Sequence, residues 1–255
     1  MASGSGSSAM SGQPGNAARS ALVTGGSRGI GRAVVLEAAR RGFDVLFSYR
    51  DKEGARETLQ AARATGRRVD AMQAEMADRG SVLDLAREAA RWPGLSLLVN
   101  NAGAVIGGPL RSVSDDQWDA SFEINVSAPF LLSRQLAEVL RPHHGSIVNV
   151  SSNGGVAGSA LGAPYGTAKA ALIGLTMTLA KELAPDVRVN AIAPGSVATD
   201  LYDTLSPNAR RNFEAAIPLR RVGTVEEIGQ ATLDIAGWTY ATGITVVIDG
   251  GVVMG

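Results

Sequence analysis

The sequence predicts an α/β domain built on a doubly wound, parallel Rossmann sheet of about seven strands with helices on both faces. Three observations predict it. Short apolar runs rich in Val, Ile and Leu alternate with longer Ala/Arg/Glu/Leu segments of helical spacing, the pattern of strands covered on both sides. A glycine-rich turn stands directly between the first apolar run and the first helical segment. Cysteine is absent, so neither a disulfide framework nor a thiolate metal site carries the fold.

The elements follow in chain order. Residues 1–17 are rich in Gly, Ser, Ala and Pro and uncharged; they bury too little to offset the entropy of ordering and read as a flexible tail. They show no signal-peptide pattern, and no apolar stretch approaches the ~18 residues of a membrane span. The expectation is a cytoplasmic protein without membrane contact. Strand-like runs stand at Ala21–Val23, Val45–Phe47, Leu97–Val99, Ile147–Val150, Val187–Ala191 and Ile244–Ile248. Helical spacing marks Ile30–Arg41, Ala55–Thr65, Val82–Arg91, Phe130–Leu140 and Ala168–Leu183, and Asp115-Asp116 reads as a further helix start because carboxylates suit a helix N-terminus. Residues 18–255 hold no repeat or linker and read as one domain that includes a substrate segment at 200–217. Lys+Arg 24 against Asp+Glu 24 leaves a formal charge of zero, so no bulk attraction to nucleic acid or anionic lipid is implied. The basic set is nearly all arginine: only Lys52, Lys169 and Lys181 are lysines. His143-His144 lacks a third histidine and arranged carboxylates, so no metal site is expected.

The turn after the first strand reads Thr24-Gly25-Gly26-Ser27-Arg28-Gly29-Ile30-Gly31. Glycines there let backbone N–H groups and a helix N-terminus approach a pyrophosphate. The second strand ends Tyr49-Arg50, where a carboxylate would select NAD by accepting both ribose hydroxyls. Its absence, with Arg28 and Arg50 available for bidentate contact to a 2′-phosphate, favours NADP(H). Asp51 is the competing feature, since it could turn toward the ribose.

Tyr165-Gly166-Thr167-Ala168-Lys169 carries the chemistry. On a helix, i and i+4 share a face, and an ammonium beside a phenol brings its pKa toward the working range of a general acid or base. Lys169 also has the reach to hold a nicotinamide ribose. Ser152, thirteen residues before Tyr165, can polarise a carbonyl oxygen; its neighbour Ser151 is separated from it only by this spacing.

The order T-G-x-x-x-G-x-G, Asn100-Asn101-Ala102-Gly103, Asn125, Ser152 and Tyr-x-x-x-Lys resembles the single-domain short-chain dehydrogenases/reductases, and the resemblance covers residues 18–255. It implies that Asn100 stabilises the central sheet and that Asn101, Ala102 and Gly103 run beside the cofactor. It further implies that Asn125 joins Ser152, Tyr165 and Lys169 by holding a helix irregularity and a proton-relaying water. Glu75-Met76-Ala77-Asp78 takes the place of the family's adenine-side segment, with Glu75 replacing an Asp. Pro194-Gly195-Ser196-Val197-Ala198-Thr199 matches P-G-x-x-x-T, which passes the nicotinamide amide, so Pro194, Gly195, Val197 and Thr199 join the cofactor set. Pro218–Gly223 and Ile248–Gly251 match C-terminal landmarks, and the ending Gly251–Gly255 implies a subunit interface in a homotetramer or homodimer.

Within the family the pattern is most like 3-oxoacyl carrier-protein reductases, including the polyketide type. The implied activity is NADP(H)-dependent interconversion of a ketone and a secondary alcohol, on a small carbonyl substrate that is free or carrier-bound. Carrier docking calls for basic residues beside the active-site mouth, and the corresponding places hold His143 and Asp186. The small, apolar segment Gly154–Pro164 suits a bulky or apolar substrate. The alternatives are a non-catalytic NADP(H)-sensing protein on the same fold and a sugar or alcohol dehydrogenase of the same family.

Overall fold

The computed structural model describes residues 19–198 and 206–254. The proposed tail, Thr199 and the first part of the substrate segment lie outside them. Seven strands form one sheet in the order β3-β2-β1-β4-β5-β6-β7, every pair parallel. They are β1 (Ser20–Val23), β2 (Asp44–Tyr49), β3 (Val69–Gln73), β4 (Leu95–Asn100), β5 (Ser146–Val150), β6 (Arg188–Pro194) and β7 (Thr245–Ile248).

Side chains alternate along each strand and so fill two cores. Ala21, Val23, Val45, Phe47, Leu97, Val99 and Val148 pack with helices α1 (Gly29–Arg40), α2 (Lys52–Arg63) and α9 (Val225–Gly237). Leu22, Leu46, Leu98, Ile147 and Val189 face α3 (Arg79–Ala89), α5 (Ala128–Leu140) and α7 (Ala163–Leu183). This two-sided burial is why the strand runs read as continuously apolar. The remaining helices are α4 (Asp115–Phe122), the short α6 (Asn153–Ala157) and α8 (Pro207–Ala215).

The predicted fold class and every predicted strand are present, and the differences are local. β3 was not among the predicted strands; its sequence, Val-Asp-Ala-Met-Gln, sits at the sheet edge and mixes polar with apolar residues. β6 begins one residue late and runs on to Pro194. The helix expected to start at Asp115-Asp116 does so under a capping box, Ser114 with Gln117, but it passes through a π-turn at Glu123–Ser127 before becoming α5.

Because all strands are parallel, their carboxyl ends share one edge, and that edge carries Thr24, Tyr49, Asn101, Ser152 and Gly195. A buried polar chain stiffens its centre. Asn100 Nδ2 donates to Asn149 Oδ1 (2.8 Å), and Asn149 Nδ2 donates to Thr176 Oγ1 (2.9 Å), linking β4, β5 and α7. Asn100 thus has the sheet-stabilising place that the resemblance implied. His143 and Asp186 precede β5 and β6, at the amino ends, and Asp186 pairs with Arg141. A five-residue strand is ~16 Å long, so these residues do not border the active-site mouth. The expectation that they report on carrier docking there is corrected.

Candidate active site

A groove of about 530 Å³ runs along the carboxyl edge, lined by Gly25, Ser27 to Gly31, Tyr49, Arg50, Glu75, Met76 and Asn101 to Ala104. Thr24 joins its two loops from below: its buried Oγ1 accepts from Asn101 N (3.0 Å) and Ala102 N (2.9 Å). Asn101 returns the contact, Nδ2 donating to the Thr24 carbonyl (2.8 Å). Side chains would obstruct this packing; a Cβ on Gly31 would stand 2.1 Å from the Gly25 carbonyl oxygen. Helix α1 starts at this turn without any side-chain cap, so its first N–H groups remain for an anionic ligand. These features fit the pyrophosphate of a dinucleotide.

At one end of the groove Tyr49 ends β2 and Arg50 follows it, and Arg28 of the glycine turn also lines the groove. Arg50 forms no ion pair among the described residues. Asp51 also lines the groove, and its carboxylate accepts from Glu53 N (3.2 Å) and Gly54 N (3.1 Å), capping α2. Met76 is buried in the groove wall, and Glu75 turns back on its own loop, accepting from Ala77 N (3.4 Å).

Ser152 caps α6, and its hydroxyl stands on the same side of the site as the Tyr165 phenol. Its Oγ accepts from Gly154 N (3.1 Å). The neighbouring Ser151 has a different place: it is buried, and its Oγ donates to the Lys169 carbonyl (2.8 Å). Tyr165 and Lys169 lie one turn apart near the start of α7. Lys169 Nζ sits 5.8 Å from the centre of the Tyr165 ring and donates to the Val150 carbonyl (2.9 Å). Asn125 occupies the π-turn and is fully buried. Its Oδ1 accepts from Ala104 N (3.2 Å), and its Nδ2 donates to the carbonyls of Ala104 (3.0 Å) and Ser121 (2.9 Å). A Cβ on Gly103 would meet both Asn125 Oδ1 (2.8 Å) and Lys169 Nζ (3.1 Å). The groove, the π-turn and the Tyr–Lys pair therefore converge at that glycine.

The electrostatics differ from expectation in one respect. Burial holds the Tyr165 phenol above its ordinary pKa, and the Ser152 hydroxyl opposes this only in part. Lys169 was expected to lower the phenol. Instead burial depresses the lysine itself to about 8, and its ammonium is turned to the Val150 carbonyl.

Pro194 ends β6, Gly195 N donates to the Ile248 carbonyl (2.9 Å), and Val197 bridges to Gly223. All three stand on the carboxyl edge but outside the lining of the groove; Thr199 is not among the described residues. Sequence reasoning missed Ser48 and Ala104. Ser48 Oγ accepts from Gly25 N (3.1 Å) and fixes the turn; a hydroxyl within an apolar strand was the available signal. Ala104 both lines the groove and receives Asn125; nothing in an alanine marks it.

Comparison with known proteins agrees with this geometry. Residues 19–210 match the short chain dehydrogenase family. A 3-oxoacyl acyl-carrier-protein reductase of Staphylococcus aureus is 36% identical over 242 residues, covering 92% of this chain and 98% of its own. Nodulation protein G of a Rhizobium species is 36% identical over 241 residues, 92% of this chain and 97% of its own. Among solved structures, acetoin dehydrogenase from Enterobacter cloacae superposes with a TM-score of 0.85 at 33% identity, covering 93% of this chain and 96% of its own. A blue fluorescent protein from a metagenomic library, solved in complex with NADPH, gives 0.86 at 34%, covering 92% of this chain and 98% of its own. The chain belongs to the short chain dehydrogenase family, oxidoreductases that use a nicotinamide cofactor to interconvert CH–OH and C=O groups.

Proposed function

We propose that this chain is an NADP(H)-dependent ketoreductase, acting on a 3-oxoacyl thioester or a related secondary-metabolite ketone. The observation that carries the reading is the grouping of Ser152, Tyr165, Lys169 and Asn125 beside a groove whose ribose end presents Arg28 and Arg50 while Asp51 is held as a helix cap. The names of two relatives, a 3-oxoacyl reductase and an acetoin dehydrogenase, support the substrate class. The NADPH-bound neighbour supports the cofactor.

The glycine turn and the Asn101–Gly103 backbone would hold the dinucleotide, with Arg28 and Arg50 on its 2′-phosphate and Lys169 toward its nicotinamide ribose. When bound, that cofactor supplies the hydride for the carbonyl carbon. Ser152 and Tyr165 receive the carbonyl oxygen between them, and the Ser152 hydroxyl stabilises charge developing on it. A phenol kept protonated by burial is suited to donate its proton to that oxygen. Lys169, one helical turn away, is the group assigned to restore it, and Asn125 fixes the Gly103–Ala104 backbone against the pair. We place this chemistry in a cytoplasmic homotetramer.

The test is NADPH oxidation against a panel of ketones, repeated with NADH and with Tyr165→Phe. The expected result is clear NADPH preference, with turnover lowered about 10²–10⁴-fold in Tyr165→Phe and NADPH binding retained. Unchanged turnover in that variant would overturn the catalytic assignment; NADH preference would overturn the cofactor.

A further inference from the structure

At the amino ends of β1, β4, β5 and β6, one sheet length from the dinucleotide groove, lies a second cavity of about 410 Å³. Its lining contains three arginines and two histidines but no Asp or Glu. Arg41 already has its counter-charges, Glu37 and Asp234, each at 2.8 Å. Arg19 and Arg188 form no ion pair among the described residues. The Arg19 guanidinium is stacked 4.1 Å over the Phe43 ring. Arg188 is fixed by two 2.7 Å bonds from its terminal nitrogens to the carbonyls of Trp238 and Ala236, which leaves other N–H groups of its fork to donate. Burial holds this guanidinium below the ordinary arginine range, the mark of a cation whose compensation is incomplete.

The same wall holds two hydroxyls without partners among the described residues, Ser96 Oγ and Ser146 Oγ, and Ser146 is only 3% exposed. Buried hydroxyls are bonded in nearly all native structures, so each needs a reason. His143 and His144 complete the lining. The chain reaches the cavity at Arg19, and residues 1–18 contain no acidic side chain to serve as counter-charge.

We propose that this cavity binds a small, multiply charged oxyanion, a phosphate ester or a polycarboxylate, through Arg19 and Arg188 with the histidines and serines as further donors. Two prepositioned guanidiniums suit bidentate capture of either group, and a site without carboxylates imposes no like-charge penalty on an anion. It is separate from the dinucleotide groove, so occupancy does not compete with the cofactor.

Calorimetric titration of the protein saturated with its nicotinamide nucleotide tests this, with inorganic pyrophosphate and citrate as probes. Saturation fills the glycine turn, so the heat reads the second cavity. At least one probe is expected to bind with one equivalent and a Kd below about 1 mM. Pyrophosphate alone would identify a phosphate-ester site, and citrate alone a polycarboxylate site. Arg19→Gln combined with His143→Gln, both on the surface and outside the hydrophobic cores, should weaken binding about tenfold or more without changing NADPH affinity or turnover. Absence of binding heat for both probes, or binding undiminished in the double variant, would overturn the proposal.

Discussion

Among the described residues nothing acidic pairs with the ammonium of Lys169: it is buried, and its Nζ donates to the Val150 carbonyl. Burial alone brings its pKa from 10.5 to about 8, and the consequence for stability has a definite sign. Below pH 8 both the folded and unfolded chains carry the proton, so the full cost of burying the charge is present. Between pH 8 and 10 the folded chain has released the proton while the unfolded chain keeps it, so stability rises with pH. This group should contribute about 2–3 kcal/mol of rise over that interval. The raised Tyr165 phenol acts in the opposite direction only above its ordinary 10. Urea midpoints at pH 7 and pH 10 should therefore separate in the native chain and draw together in Lys169→Met; equal separation in both would dismiss the lysine as the source. Activity follows the same titration. Ketone reduction should fall as pH passes about 8, where the lysine loses the proton that restores Tyr165, and alcohol oxidation should rise. The Tyr–Lys pair was legible from spacing because one helical turn brings i and i+4 together. Ser152 was legible only by its distance in sequence from Tyr165, since its separation from Ser151 depends on which hydroxyl β5 turns inward.

Helix starts decide much of the specificity of the groove, because each helix facing it begins at a strand's carboxyl end. α2 and α3 begin under aspartates that spend both carboxylate oxygens on backbone N–H groups, Asp51 and Asp78. α1 has no such cap, and it is the one that follows the glycine turn. Sequence alone left open whether Asp51 turns toward the ribose, and a capping role was not read from it; its carboxylate accepts from the backbone N–H groups of Glu53 and Gly54. Asp51→Ala should accordingly cost about 1 kcal/mol of stability and leave the NADPH-to-NADH preference within about twofold. Arg50→Ala should do the reverse, weakening NADPH by about tenfold, the scale of a lost charge-assisted contact, with little change in urea midpoint. Measuring both variants by denaturation and by the two KM values separates capping from recognition. A large shift of preference in Asp51→Ala would return that residue to the ribose. The π-turn at Asn125 was not legible from periodicity, because one inserted residue barely disturbs the apolar pattern of α4 and α5. β3 escaped for a related reason: an edge strand with one face near solvent lacks the continuous apolar run of the central strands.

At the scale of the whole molecule, a parallel sheet concentrates function on one edge and leaves β7 and β3 as open ends. Open edges and exposed apolar side chains are liabilities unless another chain covers them. Around β7 the exposed apolar side chains are Trp238, Tyr240, Ile244, Val252 and Met254, with Met254 83% exposed. A second group, Trp118 and Phe130, stands on α4 and α5, away from that edge. One patch makes a dimer by two-fold symmetry; two separate patches make the pair of isologous interfaces that a tetramer requires. The formal charge of zero adds to the argument, since no net repulsion opposes association near neutral pH. Light scattering should give a mass about four times the 26.3 kDa of one chain. Tyr240→Glu with Met254→Glu should reduce it to dimers held through α4 and α5, and Trp118→Glu with Phe130→Glu to dimers held through β7. All four changes together should leave monomers. A native chain that scatters as a monomer would remove the proposed assembly, and a single pair of changes that yields monomers directly would reduce it to one interface.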